Sequence, residues 1–386
     1  MTLPEVQKNK IARIQVDILR LPTIRAHALS VATMKEQRSV ILQIETNDGR
    51  IGLGEAATIG GLAYSDESPD SIKLTLEHYF APLLIGRSID DFGRLRQQIE
   101  AAAIGNFFAK MAVETALLDL VGQQVGMPVS ELLGGRLSSE LEIAWTLASG
   151  NTDTDIEEAK EVLDKRLHRH FKLKIGKRNW RDDVSHCAAI CNAFKGHATV
   201  RVDVNQAWDL TTAKMAIPAL QEAGVVLVEQ PMAAQDYAGA KLLREQNNIA
   251  IMADEALRGG KGQALKILEG GAADVFALKI AQAGGLTACR AVADMAAAAG
   301  LGLYGGTMLE GPIATIASAH LFATMESFAW HTELFGPRLL TDSFVQEPLA
   351  YGDFSLQVPN EPGLGLTLNK DVFDDAVARE QTATKA

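Results

Sequence analysis

The chain has 386 residues, of which 47% are hydrophobic and 22% are charged, and this length predicts two domains or one barrel with additions. Its net charge of −11 is spread along the sequence, which excludes the basic footprint of a protein that binds nucleic acid or anionic membranes. No apolar run approaches the ~20 residues of a membrane span, and the first eight residues lack the apolar segment of a signal peptide. We therefore expect a cytoplasmic protein.

The three cysteines are too few for a disulfide framework and agree with a reducing compartment. Cys187 and Cys191 lie four residues apart on a predicted helix, where they could form half of a metal site or pack inside the protein. No third thiol or suitably spaced histidine completes a metal site, which favours packing.

The first part of the chain predicts an α+β domain. Residues 11 to 56 alternate as strands do, and Asn47-Asp48-Gly49 is typical of a hairpin turn. The loop from Ala57 to Ser65 has two adjacent glycines and few charges, so it is either a lid over an active site or an ordinary surface connection. Helical spacing follows to about residue 134, most clearly from Phe108 to Leu120.

From Leu141 onward, short apolar runs alternate with helical segments such as 183–194, 212–223 and 286–299. Eight such units of roughly 25 residues favour a (β/α)8-type barrel over a doubly wound sheet. We expect a capping domain at 1–135, a barrel at 136–345 and a tail at 346–386 that packs back on the first domain. The expected barrel strands are 143–147, 171–175, 199–203, 225–229, 249–254, 275–279, 301–304 and 328–333.

Charged residues close consecutive predicted strands at nearly even intervals. Twenty-six residues separate Asp203 from Glu229, and 25 residues separate Glu229 from Asp254 and Asp254 from Lys279. Any one of these acids alone could be a helix cap or a solvated strand end. Because barrel strands all end at one rim, the three carboxylates together predict a metal site, and oxygen ligands suit Mg²⁺ or Mn²⁺ better than zinc.

Two lysines, Lys172 and Lys174, end another predicted strand. Residues i and i+2 of a strand project to the same side, so the two ammonium groups are expected to lie close together on one face. Paired cations repel, and each favours loss of a proton from its neighbour, which suits acid–base catalysis.

The ordered set of charged motifs resembles the enolase superfamily in its muconate-lactonizing subgroup. Those motifs are Lys172-x-Lys174, Asp203-x-Asn205, Glu229-Gln230-Pro231, Asp254-Glu255 and Lys279. This resemblance implies an α/β fold with a modified TIM barrel, (β/α)7β, and an N-terminal α+β capping domain. The segments 58–64, 144–150 and 332–336 further resemble the cis,cis-muconate cycloisomerases and their chloromuconate relatives.

The resemblance also implies roles for single residues. Asp203, Glu229 and Asp254 would bind one Mn²⁺ or Mg²⁺ ion. Lys174 would be the acid–base catalyst with Lys172 beside it. The remaining implied site residues are Lys279 for enolate stabilisation, Ile59, Tyr64 and Asn205 for substrate binding, and Glu333 with its role left open.

The implied reaction converts cis,cis-muconate to muconolactone through an enolate, as in the catechol branch of the β-ketoadipate pathway. Within the superfamily the alternatives are chloromuconate cycloisomerase, dipeptide epimerase, N-acylamino acid racemase and o-succinylbenzoate synthase. A non-catalytic barrel is the alternative from another class, but it predicts loss of a charged strand-end residue, and none is missing. The expected partners are a small dicarboxylate substrate and further copies of the chain, in a homo-oligomer that in this family is often an octamer.

Overall fold

A computed structural model describes residues 9–28, 33–326, 328–346 and 348–384. The chain begins with an antiparallel sheet in the order β1-β2-β3, with strands β1 (Ile11–Ala28), β2 (Thr33–Thr46) and β3 (Ile51–Ala57). The turn between β2 and β3 lies at residues 47–49, as the sequence predicts.

Helices follow the sheet, and the longest of them packs against it. The helices are α1 (Pro69–Thr75), α2 (Ala81–Leu84), α3 (Phe92–Ala102), α4 (Phe107–Val125) and α5 (Val129–Leu132), with a π-helical turn at Leu76–Phe80 and 3₁₀ turns at Gly61–Ala63 and Ile89–Asp91. Glycines in β3 let the sheet approach α4 closely, because a Cβ added at Gly54 would lie 2.1 Å from the Ala112 carbonyl oxygen. The mixed strand and helix content expected for the first region is confirmed.

The second part is a parallel barrel. A single strand, β4 (Glu140–Glu142), precedes seven parallel strands, which hydrogen-bond in chain order: β5 (Trp145–Leu147), β6 (His170–Lys174), β7 (Thr199–Asp203), β8 (Leu227–Glu229), β9 (Ala250–Ala253), β10 (Val275–Leu278) and β11 (Gly302–Gly305). The helices between and after them are α6 (Thr152–Asp164), α7 (Trp180–Ala193), α8 (Leu210–Ala223), α9 (Tyr237–Gln246), α10 (Lys261–Gly270), α11 (Ile280–Ala283), α12 (Leu286–Ala298), α13 (Pro312–Phe322) and α14 (Gly336–Leu339), with a 3₁₀ turn at Glu255–Leu257.

The barrel closes through one residue instead of a full eighth strand. The sequence predicts a strand over 328–333, but in this segment only Thr332 pairs with neighbouring strands, bridging Ile143 on one side and Gly305 on the other. The Thr332 N–H donates to the Glu142 carbonyl at 3.0 Å, and the Glu333 N–H donates to the Gly305 carbonyl at 2.7 Å. The (β/α)7β barrel is therefore confirmed, and the expected eighth strand is wrong in length.

Alternation along the strands divides apolar from polar side chains. Residues such as Phe171, Leu173 and Val202 are buried in the large core that includes the surrounding helices. Residues on the other face, including Lys172 and Arg201, are also buried, although they carry charge. The barrel interior therefore holds ionic groups that need partners.

The last part of the chain contacts both earlier regions. Strands β12 (Tyr351–Gly352) and β13 (Ser355–Gln357) form a small antiparallel sheet with β4, and helix α15 (Lys370–Ala383) follows. On α15, the Glu380 carboxylate accepts hydrogen bonds from Arg20 at 3.0 Å and Arg38 at 3.1 Å in the first sheet. The exact domain bounds stay a prediction.

Buried acids also join the first domain to the barrel. The two oxygens of Glu55 on β3 accept hydrogen bonds from the backbone N–H groups of Gly311 (2.7 Å) and Ala314 (3.0 Å), at the start of α13. Burial raises the pKa of Glu55 to about 7, although these donors favour its charged form. The loop after β3 is thereby fixed over the barrel rim.

Two further expectations concern cysteines and membranes. Cys187 is buried on α7 with Cys191 partly buried beside it, which agrees with helix packing. Within the described parts of the chain, every helix is too short or too polar to cross a lipid bilayer.

The contact between β3 and α4 predicts a large effect of one methyl group. We expect Gly54→Ala to lower the free energy of unfolding by about 3 kcal/mol, because the obstructing atom is a backbone oxygen that cannot rotate away. Chemical denaturation measures this change. Gly93→Ala on α3 is the matched control, since its added Cβ meets no atom within 4 Å, and an equal loss in both variants would contradict the packing argument.

Candidate active site

Three carboxylates meet at the rim where the strands end. Asp203 ends β7 and Glu229 ends β8, and the strand register pairs these two residues directly, while Asp254 immediately follows β9. One oxygen of each carboxylate lies within 4.8 Å of the others, and all three residues are buried. Parallel strands thus bring together residues that are 25 and 26 positions apart.

Each lysine of the site is paired with an acid. The Lys172 Nζ lies 2.5 Å from Glu229 Oε2 and 2.5 Å from Glu333 Oε2, and Lys174 is hydrogen-bonded to Asp203. Across the rim, the Lys279 Nζ lies 2.6 Å from Asp254 Oδ2. The ammonium groups and the carboxylates therefore form one continuous buried ionic cluster.

This pairing changes the expected electrostatics of the two adjacent lysines. Burial opposes the charge of Lys172, but the carboxylates of Glu229 and Glu333 outweigh it and hold the pKa of Lys172 well above its ordinary value. The sequence predicts repulsion between Lys172 and Lys174, but it does not show that Glu333 reaches Lys172 from the segment that closes the barrel.

The carboxylate cluster has the properties of a cation site. Burial, followed by the nearby charge of Asp203, raises the pKa of Glu229 well above its ordinary range. Its Oε1 atom is buried and has no hydrogen-bond partner among the described residues. An unpartnered carboxylate oxygen beside two further carboxylates is a costly arrangement that a bound divalent cation would stabilise.

A small cavity lies between the lysines and the first domain. Its volume is about 20 Å³, and it is lined by Ile59, Tyr64, Thr146, Lys172, Lys174, Lys279, Thr307, Leu309 and Glu333. Space of this size holds little more than one water molecule. The loop that contains Ile59 and Tyr64 is therefore closed over the site.

Contacts from the barrel hold this loop. Arg258, which follows the 3₁₀ turn after β9, donates from Nη2 to the Tyr64 carbonyl oxygen at 2.7 Å, and its guanidinium lies 5.7 Å from the centre of the Tyr64 ring. The Tyr64 hydroxyl points at the cluster, 3.4 Å from Asp254 Oδ2 and 3.3 Å from Glu255 Oε1. Arg258 thus holds the loop in its closed position.

Comparison with known proteins identifies the family. A family model for the mandelate racemase / muconate lactonizing enzyme N-terminal domain matches residues 13–134, and one for the enolase C-terminal domain-like family matches residues 154–372. The chain belongs to the muconate lactonizing enzyme family of the enolase superfamily. Members of this superfamily bind a divalent metal, and the three carboxylates could hold one here.

The similar proteins within the muconate lactonizing enzyme family cover nearly the whole chain. Muconate cycloisomerase 1-2 of Acinetobacter lwoffii is 50% identical over 95% of this chain and 94% of its own length. A chloromuconate cycloisomerase of Pseudomonas putida is 40% identical over 94% of this chain and 97% of its own length. The crystal structure of muconate lactonizing enzyme from Pseudomonas fluorescens complexed with muconolactone has a TM-score of 0.94 and 48% identity, covering 96% of this chain and 100% of that one.

The structure brings the residues singled out in the sequence to this rim, and it gives Asn205 contacts with two carboxylates there. Asn205, expected to bind substrate, donates its Nδ2 to Asp203 Oδ2 at 3.1 Å and to Glu255 Oε1 at 3.1 Å. Its backbone is left-handed, with φ of 45°. The contacts that Asn205 makes therefore orient the carboxylates.

Sequence reasoning missed several groups that support the site. Burial, and then the charges of Asp254 and Asp203, raise the pKa of Glu255 to about 7. Gln230 Oε1 accepts from the Asp254 N–H at 3.0 Å. Both residues belong to the motifs quoted from the sequence, next to the charged residues. Leu309, which lines the cavity, lies in a loop where the sequence has no motif that would indicate a site.

The role of Arg258 in holding the loop can be tested without an activity measurement. We expect Arg258→Met to speed hydrogen exchange of loop amides at 57–65 by about tenfold or more, because a charge-assisted bond to the Tyr64 carbonyl is lost. Mass spectrometry of peptides from the loop measures this rate. Arg87→Met, at an exposed position of the first domain, is the control, and equal rates in both variants would show that Arg258 does not hold the loop.

Proposed function

We propose that this chain is a muconate cycloisomerase that interconverts cis,cis-muconate and muconolactone. The observation that carries the proposal is the cavity, in which Lys174 and Lys279 approach from different strands and the closed loop supplies Ile59 and Tyr64. Identity of 50% to a muconate cycloisomerase, against 40% to a chloromuconate cycloisomerase, favours the unchlorinated substrate.

In the lactonizing direction, one substrate carboxylate attacks the diene and a carbon–oxygen bond closes the ring. The attack breaks the π bond of the double bond nearer to the second carboxylate. Its electrons pass to the carbon attached to that carboxylate, and the two groups together form the enolate. Lys174, on the strand end beside Asp203, would then deliver a proton to carbon. Every atom of the substrate is retained and the dianion gains one proton, which Lys174 would recover from solvent. The acids of muconate and muconolactone are therefore isomers.

The other charged groups would position and stabilise the reacting dianion. A divalent cation at Asp203, Glu229 and Asp254, Mn²⁺ or Mg²⁺ by ligand type, would supply positive charge for the enolate oxygens. Lys279 faces the site from the opposite wall, where its ammonium favours the same negative charge. The closed loop would exclude water while the enolate exists.

Glu333 and Lys172 would act together beneath the cavity. Glu333 accepts a hydrogen bond from the Thr146 hydroxyl at 3.0 Å and holds the Lys172 ammonium at 2.5 Å. We propose that this pair fixes Lys172 below the substrate. Assembly as a homo-oligomer and a cytoplasmic location stay predictions.

The first test of the function is metal dependence. Purified protein with Mn²⁺ should consume cis,cis-muconate, which is followed as loss of conjugated-diene absorbance. Exhaustive chelation should abolish turnover and added Mn²⁺ should restore it, because the enolate is too unstable without a cation on its carboxylate. Full turnover by metal-free protein would reject the cation site. Chloride release with faster turnover of a chlorinated muconate would favour the chloromuconate alternative.

A second test identifies the proton donor. We expect Lys174→Ala to lower kcat by about 10²-fold or more, the usual contribution of a general acid, and to abolish stereospecific deuterium uptake from D₂O into the lactone. Lys177→Ala, at an exposed lysine three residues further on, should keep both. Rapid, stereospecific uptake in Lys174→Ala would assign proton transfer to Lys279 instead.

A further inference from the structure

A second group of ligating side chains lies at the opposite end of the barrel from the active site. It consists of Glu142 on β4, His170 at the first position of β6 and His331 in the closing segment, and we call it the basal triad. His170 is four residues from Lys174 on the same strand, which places the two ends about 13 Å apart. The triad is therefore separate from the carboxylate cluster.

The ligand atoms of the triad lie close together, and one of the two stacked rings would have to rotate for both nitrogens to point at one ion. The His170 Nε2 lies 2.7 Å from Glu142 Oε2, and the His331 Nδ1 lies 3.8 Å from the same oxygen. One ligand atom from each residue lies within 4.8 Å of the other two. The imidazole rings are stacked, with centroids 3.8 Å apart.

The imidazoles can offer neutral nitrogens to a metal, provided that His170 carries its proton on Nδ1, beside the Thr199 hydroxyl, and leaves Nε2 free. Burial lowers the pKa of His170, and burial together with the neighbouring His170 lowers the pKa of His331 to about 4, so both rings are neutral near pH 7. Although burial opposes it, hydrogen bonds from Arg169 and His170 hold the pKa of Glu142 at about 2. The triad thus offers two neutral imidazoles and one carboxylate.

Neighbouring side chains orient His170 as a ligand but compete with a metal ion for Glu142. The His170 Nδ1 lies 2.7 Å from the Thr199 hydroxyl, a contact of the kind that orients metal-binding histidines. Arg169 binds both oxygens of Glu142, at 2.5 and 3.2 Å, and would have to release one of them. Its side chain is 44% exposed and so can move into solvent. The positive charge of Arg201 is also close and weakens cation binding.

We propose that the basal triad binds a second metal ion, a transition-metal dication of the zinc, nickel or copper class. Imidazole nitrogen favours these ions, whereas Mg²⁺ and Mn²⁺ prefer the all-oxygen site at the other rim. Glu142 and His331 are partly exposed, which gives the ion a route from solvent. The ion would join β4, β6 and the segment adjoining Thr332, and so strengthen the closure of the barrel.

The experiment is a Zn²⁺ titration by calorimetry, made on protein saturated with Mg²⁺ so that the carboxylate site is occupied. The test variant is His331→Asn, because asparagine tolerates the left-handed backbone (φ 65°) of this position. Glu142→Gln is a second variant that removes the anionic ligand. His197→Asn is the matched control at an exposed histidine outside the triad.

We expect wild type and His197→Asn to show a Zn²⁺ binding event whose affinity falls at least about tenfold in both triad variants. Zinc should also raise the thermal midpoint of wild type more than that of His331→Asn, since it binds the folded state. Any Zn²⁺ that enters the carboxylate site contributes equally to all four proteins. Isotherms and midpoint shifts in the folded triad variants that equal those of His197→Asn would overturn the proposal.

Discussion

The structure depends on burying opposite charges side by side at the barrel rim. Asp203, Glu229 and Asp254 are each 1% exposed or less, and a carboxylate at such a position is strongly unfavourable without a partner. Lys172 and Lys279 supply that partner from inside the barrel. Because removal of one member of a buried pair leaves the other uncompensated, every strand end of the site constrains its neighbours.

This network also couples the lysines to the cation site. The oxygens that Lys174 and Lys279 contact belong to Asp203 and Asp254, two of the three acids that could hold a divalent ion. Added positive charge at these acids weakens the attraction that holds each ammonium there. We infer that a bound cation would favour turning both lysines toward an anionic substrate, so that metal loading and proton-donor position are linked.

The sequence predicted most of the fold and of the rim because both follow from short-range rules. Strand alternation and the spacing of about 25 residues were enough to place Asp203 and Glu229 side by side. The segment 328–333 was different, because its apolar pattern resembled a strand while its pairing depends on both edges of a closed barrel. Only Thr332 fits between those edges, so no local signal could give the strand length.

Electrostatic environment was the harder quantity to predict. The pair Lys172 and Lys174 is visible in the sequence, but the partners that keep Lys172 charged are Glu229 and Glu333, and Glu333 is more than 150 residues away. The contacts of the basal triad are equally hidden in the sequence, since Glu142 and His331 meet His170 only when the barrel closes. Sequence spacing identifies which residues share a face, and tertiary closure decides which charges they meet.

A single strand register fixes both ends of the barrel. The pairing of β6 with β7 sets His170 opposite Thr199, Lys172 opposite Arg201 and Lys174 opposite Asp203. These pairs share one face, and they form a lower layer for the triad, a middle layer of two cations and an upper layer at the active site. The middle layer places like charges opposite each other, which is unfavourable by itself.

That unfavourable middle layer has local compensation. Both cations lie over the ring of Tyr304, whose centre is 5.3 Å from the Lys172 ammonium and 5.2 Å from the Arg201 guanidinium. Arg201 also donates to the Trp330 carbonyl at 2.5 Å. A slip of one residue would turn all three layers outward among the apolar side chains that face the helices. The cost of that slip is what makes the register unique, and so the same constraint that buries Lys172 and Arg201 also places Lys174 at the cavity beneath the loop.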